Sequence, residues 1–346
     1  MPERGRRRPP LRDERVTLAH GAGGKATHDL VAALFLEELG NEALDPLGDS
    51  AVVAPPAGRL AFTTDSYVVR PLVFPGGDIG ELAVFGTVND LAVAGARPLW
   101  LSAGFVLEEG LPIDTLRAIV ASMAAAARRA GVVVAAGDTK VVERGKADGL
   151  YVTTAGVGVL EHDLLLGPER VRPGDRVLLS GTIADHGMAV MIARGDLRLE
   201  GDVESDTAPV HELADSLLSL GDALRWMRDP TRGGLATALN ELAAQSGLTV
   251  RMREDALPIR PAVAAACEIL GIDPLYVANE GKLVAVVAGD AAAQALSLLR
   301  ALPLGAGAVE LGVIAAEPEG MVLLDTTLGG SRIVDMLAGD PLPRIC

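Results

Sequence analysis

Cysteine ends the 346-residue chain, in the run Asp340-Pro341-Leu342-Pro343-Arg344-Ile345-Cys346. In its ionised form a thiol is a nucleophile and a group carrier, and it oxidises readily when exposed. Two prolines, with Gly329 and Gly330 before them, oppose a helix running to the end. Residues 329–346 are therefore expected to form a mobile tail with a reactive tip. From Thr327 onward it can span roughly 60 Å, at about 3.3 Å per residue. The placement does not suit prenylation, which needs a cysteine four residues from the end. The tail holds no second Cys or His for a metal. Cys267, the other cysteine, lies in the apolar run Ala262–Leu270 and reads as a buried helical core residue.

The second chemical signal is a set of acidic residues in small or apolar surroundings. Asp49, in Gly48-Asp49-Ser50-Ala51, and Asp65, in Thr63-Thr64-Asp65-Ser66, flank strand-like segments, and each alone also fits a turn or cap. Asn89-Asp90 sits inside the apolar helical run Ile79–Val93. Both are poor helix formers, and burying an unpaired carboxylate is costly, a cost that a bound cation removes. Gly137-Asp138-Thr139-Lys140 comes directly after the strand-like run Val132–Ala136, where catalytic groups often stand.

Two glycine-rich segments complete the set. Arg228-Asp229-Pro230-Thr231-Arg232-Gly233-Gly234 opens a helix near Leu235, and backbone N–H groups at such a start make an anion site. His20-Gly21-Ala22-Gly23-Gly24-Lys25 also precedes a helix and can form a phosphate-cradling nest. It is not a Walker loop, because the first glycine of that spacing is missing and Ala26 follows the lysine. Several carboxylates together with several anion cradles point to Mg²⁺ and phosphates, since Mg²⁺ takes one or two carboxylates and lets substrate phosphates complete its octahedron.

The elements that must position these groups follow from hydrophobic periodicity. Helices are expected near 26–39, 78–95 and 114–130, with strands near 50–53, 60–64, 98–107, 132–136 and 150–159. The turn-rich stretch 164–176 makes a domain boundary. Beyond it, strands are expected near 176–180, 248–253, 283–288, 311–316 and 321–325, and helices near 184–194, 209–221, 234–246, 260–270 and 290–301. Strands and helices mix without strict alternation, which favours an α+β arrangement of mixed α/β layers in two domains. The organisation read from this is a leader and glycine-rich segment (1–43), an N-terminal domain (44–163), a C-terminal α/β domain (164–328) and the tail (329–346).

Composition narrows the function classes. A hydrophobic share of 49% with 3% aromatics implies a core of small aliphatic side chains. A net charge of −15 disfavours nucleic-acid binding, which runs on neutralised phosphates. The most apolar region, 118–136, is cut by Arg128-Arg129 and does not suit a membrane span. The first fifteen residues are polar and locally basic with no apolar run after them, so they read as a disordered leader and not a secretory signal. Two cysteines without such a signal indicate a reducing, cytoplasmic setting.

At this point the residues resemble a family. His20-Gly21-Ala22-Gly23-Gly24, Thr63-Thr64-Asp65-Ser66, Phe74-Pro75-Gly76-Gly77-Asp78-Ile79-Gly80, Gly86-Thr87-Val88-Asn89-Asp90-Leu91-Ala92, Gly137-Asp138-Thr139-Lys140-Val141, Arg228 to Gly234, Asn279-Glu280-Gly281-Lys282 and the closing Pro343-Arg344-Ile345-Cys346 look like those of the hydrogenase maturation factors of the HypE family. That family belongs to the superfamily of aminoimidazole ribonucleotide synthetase, selenophosphate synthetase and thiamine monophosphate kinase. The resemblance runs from about residue 16 to the end, and the terminal Pro-Arg-Ile-Cys is its most specific element.

The resemblance implies a two-domain aminoimidazole ribonucleotide synthetase-like fold, whose N-terminal sheet pairs into a barrel across a homodimer and whose cleft holds Mg-ATP. It implies that Cys346 accepts a carbamoyl group from the carbamoyltransferase HypF, and that ATP drives dehydration of this S-carboxamide to a thiocyanate. The cyano group then passes to the iron of the [NiFe] hydrogenase through the HypC–HypD complex. On this basis Asp49, Asp65, Asp90, Asp138 and Asp229 are the expected Mg²⁺ ligands. His20, Gly21, Gly23, Gly24, Asn89, Thr139, Thr231, Gly233 and Gly234 are the expected nucleotide contacts. Glu280 is the expected base for the amide N–H proton, and Lys140 the stabiliser of charge on the oxygen or phosphate. Two other readings stay open: a small-molecule ATP enzyme of the same superfamily, and a noncatalytic thiol carrier. The selenophosphate version of the first wants an early cysteine, which this chain lacks.

Overall fold

The computed structural model describes residues 11, 13–48, 50–54, 56–195 and 202–337. Asp49 and Cys346 fall outside the described residues. The N-terminal unit begins with a helical stretch made of α1 (Lys25–Leu30), a π-helical turn (Val31–Phe35) and α2 (Leu36–Leu39). Strand β1 (Arg59–Tyr67) follows, then a short hairpin of β2 (Val73–Phe74) and β3 (Gly77–Asp78), then α3 (Ile79–Val93). The unit ends with β4 (Arg97–Glu108), α4 (Ile113–Arg129), β5 (Val133–Val142) and β6 (Leu150–Leu160).

Helix α3 starts where Asp78 caps it, accepting N–H bonds from Gly80 at 2.7 Å and Glu81 at 3.1 Å. It is apolar all round because it is enclosed all round. Leu82, Val84, Phe85 and Val88 are each fully buried, and α3 lies on β1 and β6 with α4 against it. Helix α4 is amphipathic and turns Leu116, Ile119, Val120 and Met123 inward.

The sheet has the order β1-β6-β4-β5, with only the β4–β5 pair parallel. Its helix-free face carries the cross-strand row Phe62, Val157, Trp100 and Val133. Phe62 there is 71% exposed. The four strands leave β1 and β5 as the two edges and do not close into a barrel.

The C-terminal unit contains β7 (Arg176–Leu179), α5 (Asp185–Ala193), α6 (His211–Leu218), β8 (Leu224–Arg228), α7 (Gly234–Ser246) and β9 (Thr249–Arg253). It continues with α8 (Pro261–Leu270), β10 (Val284–Val287), α9 (Ala292–Arg300), β11 (Val309–Ala315), β12 (Val322–Asp325) and β13 (Ser331–Ile333). Seven strands form one sheet in the order β13-β12-β9-β11-β7-β10-β8. Alternate residues of β7 and β10 feed separate apolar clusters on its two faces. Val177, Leu179, Val284 and Val286 join the cluster that includes Leu239 and Leu242 of α7, while Leu178 and Ala285 join Leu213 of α6 and Leu299 of α9.

Several expectations need correction. Residues 50–53 form no strand; Val52 is 92% exposed and has no partner strand to pair with. Strand β5 does not end at Ala136, because its parallel pairing with β4 continues to Glu108↔Val142 past a bulge. Gly137 to Lys140 therefore lie within the strand. From the segment assigned to 1–43, Val16, Leu30, Leu34 and Phe35 join the core of the N-terminal unit. The tail is seated as far as Val334: Ser331–Ile333 pairs with β12, and Val334 is fully buried. Strand β8 was hidden by its charged ends, Arg225 and Arg228, and the hairpin by its length. Among the described residues, no helix is long and apolar enough to cross a membrane.

Candidate active site

The two units meet along α3, which touches α6 and β8, and the acidic residues gather there. Asp65 comes from β1, Asp90 from α3, Asp229 from the end of β8, and Glu280 from the segment before β10. The Thr63 hydroxyl donates to Asp90 Oδ2 at 2.7 Å, and the Tyr67 hydroxyl donates to Asp65 Oδ2 at 3.0 Å. Asp229 is 7% exposed and Glu280 3%.

Crowding in a buried place makes these carboxyls reluctant to ionise. Burial, and then the neighbouring Asp65, pushes Asp90 up to about 6. Burial, and then Asp90, pushes Asp229 up to about 7. Glu280 is raised well above the carboxylate range by burial and by Asp229, Asp206, Asp65 and Asp90. An oxygen-only donor set under this repulsion fits a hard divalent cation such as Mg²⁺. Among the described residues, no three His, Cys, Asp or Glu side chains converge into a self-sufficient metal site.

A testable stability effect follows. The stabilisation from keeping Asp229 protonated is complete below its unfolded value of 3.8 and is lost as pH rises through its folded value of about 7. With divalent cations chelated, Asp229→Asn is expected to be more stable than the wild type at pH 8, by up to roughly 4 kcal/mol, and to melt at a higher temperature. The two proteins should converge near pH 4. A difference that stays the same at both pH values, measured by thermal denaturation, would contradict this reading.

The backbone around the acids is fixed by two asparagines. Asn279 accepts the Ala184 N–H at 2.7 Å and donates to the Pro230 and Val277 carbonyls at 2.8 and 3.1 Å. It thereby staples the loop after Asp229 to the one bearing Glu280. Asn89 donates to the carbonyls of Ala208 and Glu280, both at 3.0 Å, and accepts the Val210 N–H at 2.8 Å. Its amide joins the two units in this way.

Gly233 and Gly234 have φ values of 76° and 63°, and any side chain on Gly234 would meet the carbonyls of Leu275 and Val277. The half-buried Thr231 accepts the Gly234 N–H at 2.8 Å in the same turn. The start of α7 is thus pressed against the Glu280 loop.

The remaining predicted residues lie elsewhere. Asp138, Thr139 and Lys140 stand on β5. Lys140 Nζ is 2.9 Å from Asp138, whose carboxyl it holds below the usual range. Thr139 and Asp138 line a cavity of about 260 Å³ between β5 and the helical stretch 25–39. His20 is fully buried, with Nδ1 accepting the Thr17 N–H at 3.0 Å, and Gly21 presses on Val141 of β5. The His20 Nε2 stands 3.3 Å from Asp13 Oδ2. Gly23 gives its N–H to the Thr27 hydroxyl at 2.9 Å, while Gly24 is exposed at the start of α1.

One register row, Ser66-Thr153-Gly104-Asp138, crosses the sheet from β1 to β5. Asp138 thus stands level with Ser66, the neighbour of Asp65, but three strand spacings away, roughly 14 Å. The predicted site is split between opposite edges of one sheet. Asp206, Lys282, Tyr67 and Asn279 were not singled out as site residues. Lys282 and Asn279 lay within the Asn279–Lys282 motif, whereas Asp206 sits in a stretch with no periodicity.

Comparison with known proteins shows the family and the fold. Residues 47–160 match the N-terminal domain, and 172–325 the C-terminal domain, of AIR synthase related proteins. The carbamoyl dehydratase HypE of Bradyrhizobium diazoefficiens is 54% identical over 337 residues, covering 97% of each chain. A crystal structure of the hydrogenase maturation protein HypE in complex with ATP superposes with a TM-score of 0.91 at 46% identity, covering 95% of this chain and 99% of that one. A crystal structure of a HypE–HypF complex superposes with a TM-score of 0.78 at 45% identity, covering 89% and 99%.

Proposed function

The chain belongs to the HypE family of AIR synthase related proteins, and from that premise we propose how its residues carry out the reaction. It is an ATP-dependent carbamoyl dehydratase of hydrogenase maturation. The observation that carries the mechanism is that Asp65, Asp90, Asp229 and Glu280 lie along the junction of the units, near enough for Asp90, Asp229 and Glu280 to have their carboxyls raised by these neighbours.

The substrate is the S-carboxamide on Cys346. Its amide oxygen is a poor leaving group until it takes the γ-phosphoryl group of ATP. The C–O bond then breaks with phosphate, the nitrogen loses its two protons, and a thiocyanate remains. Glu280, beside the acidic cluster, takes an N–H proton. Lys140 stabilises charge on the oxygen or the transferred phosphoryl. Asp65, Asp90 and Asp229 would hold Mg²⁺, with Asp49 and Asp138 as further ligands. When bound, the cation neutralises phosphate charge and lowers the repulsion among these carboxyls. Thr231, Gly233 and Gly234, with Gly21, Gly23, Gly24 and Thr139 on the other edge, cradle the nucleotide.

The separation of the two edges supports a homodimer. A second copy laid against the helix-free face covers Phe62 and Trp100, closes a barrel, and brings one protomer's β5 beside its partner's β1. Each complete site then takes Asp65, Asp90, Asp229 and Glu280 from one protomer and Asp138, Thr139 and Lys140 from the other. HypF is the carbamoyl donor, in keeping with the HypE–HypF complex. We place the protein in the cytoplasm, with HypC–HypD receiving the cyano group.

Intact-mass measurement tests the reading. Incubation with the carbamoyl donor should add one carbamoyl group at Cys346, and Mg-ATP should then remove one water from the adduct. An adduct that stays unchanged with Mg-ATP would instead mark a passive thiol carrier.

A further inference from the structure

The residue that the mechanism uses as a base has its backbone held from two directions. Its carbonyl accepts the Asn89 amide at 3.0 Å, from α3 of the N-terminal unit. Its N–H donates to Asp206 Oδ1 at 3.1 Å. Asp206 is locked in turn by Lys282, whose Nζ donates to Oδ2 at 2.9 Å, and the two side chains are only 5% and 11% exposed. Between Glu280 and Lys282, Gly281 passes so close to the Asp206 carbonyl that any side chain there would overlap it. The stretch bearing Asp206 is itself tied across the units, through Ser205 N–H to the Pro75 carbonyl at 2.8 Å and through Ala208 and Val210 to Asn89.

We propose that Asp206, clamped by Lys282, is a positioning residue that sets where the Glu280 carboxyl stands in the dehydration step. The inference rests on the role given to Glu280 above. A buried ion pair is weak evidence for stability, because desolvation offsets much of its attraction. This pair has a more specific geometry: one oxygen of Asp206 is occupied by the ammonium, and the other is thereby aimed at a single backbone N–H. Burial opposes the charge on Asp206, yet Lys282 keeps its carboxyl below the ordinary range, so the acceptor is an ionised one. Fixing the peptide of Glu280 at both N–H and C=O leaves only side-chain torsions free, and small misplacements of a reacting group are costly.

Two double variants separate positioning from mere support. Asp206→Leu with Lys282→Met removes both charges and the acceptor. Asp206→Asn with Lys282→Met removes both charges and keeps an acceptor oxygen for the Glu280 N–H. Neither leaves an unpaired buried charge. The Leu/Met protein is expected to bind Mg-ATP and accept the carbamoyl group normally but to dehydrate it about 10- to 100-fold more slowly. The Asn/Met protein should recover to within about threefold of the wild type. Equal rates in the two variants, whether both fast or both slow, overturn the proposal.

If the Leu/Met protein does not fold, Asp206→Ala with Lys282→Met carries the test, because it too removes the acceptor and leaves no unpaired buried charge. A wild-type rate in that variant also overturns the proposal. Glu280→Gln, run in parallel, keeps the two readings distinct. If it dehydrates normally, the base assignment itself fails. If it stalls while the Leu/Met variant does not, only the positioning role fails.

Discussion

Glu280→Gln is expected to halt the reaction at the S-carboxamide, with ATP affinity and carbamoylation of Cys346 intact. The substitution keeps the shape and the hydrogen bonds of the backbone but removes the ability to take a proton, which typically costs 10²- to 10⁴-fold. The carboxyl is 3% exposed, and its surroundings raise its pKa. Positive charge among Asp65, Asp90 and Asp229 would favour its ionised form. Single-turnover mass analysis reads the outcome directly, as a persistent carbamoyl adduct. Lys140→Ala should stall at the same stage.

The split site adds a sharper consequence. In a heterodimer of these two variants, one site receives both defects and the other receives neither. Mixing and re-equilibrating the proteins should therefore restore roughly a quarter of the wild-type sites. No restoration, with subunit exchange verified, would place Glu280 and Lys140 of each site on the same chain.

Cys346→Ser should abolish thiocyanate formation outright. An alcohol does not offer the nucleophilic anion that a thiol can supply near neutral pH, so the carbamoyl group has no acceptor. Binding of Mg-ATP should be unaffected, because the interdomain acids are untouched. Cys267→Ala is the matched control. Cys267 is 2% exposed, and burial, followed by Asp273, pushes its thiol up to about 11. Its removal should leave labelling and turnover unchanged. A carbamoyl adduct found on Cys267 after proteolytic mapping would refute the assignment of the reactive thiol.

Much of this was legible before the fold was known, for identifiable physical reasons. Asp90 stood out because a carboxylate in the middle of an apolar helix demands a partner, and α3 does bury the residues around it. The helices 234–246 and 260–270 were legible because apolar spacing and end residues agreed. Strand β8 was not, since Arg225 and Arg228 interrupt its apolar residues. The role of Asp206 could not be read either, because residues 202–210 have neither period and take their order from partners far away in sequence. Asn89 and Asp90 looked like one functional dipeptide, whereas the structure gives the first to the backbone and the second to the acids. Most of all, residue types reveal ligands but not strand order, so the distance between Asp138 and Asp65 appeared only with the sheet.

Asn89 also limits how the enzyme can load and unload. Its three hydrogen bonds, to Ala208, Val210 and Glu280, cross the junction between the units beside the acids. A clamshell motion that parted the units would break all three, and each buried polar group left without a partner costs about 1–3 kcal/mol. Parting the units at Asn89 is thus costly, so nucleotide and the modified cysteine are expected to come and go while the two units stay stitched together there.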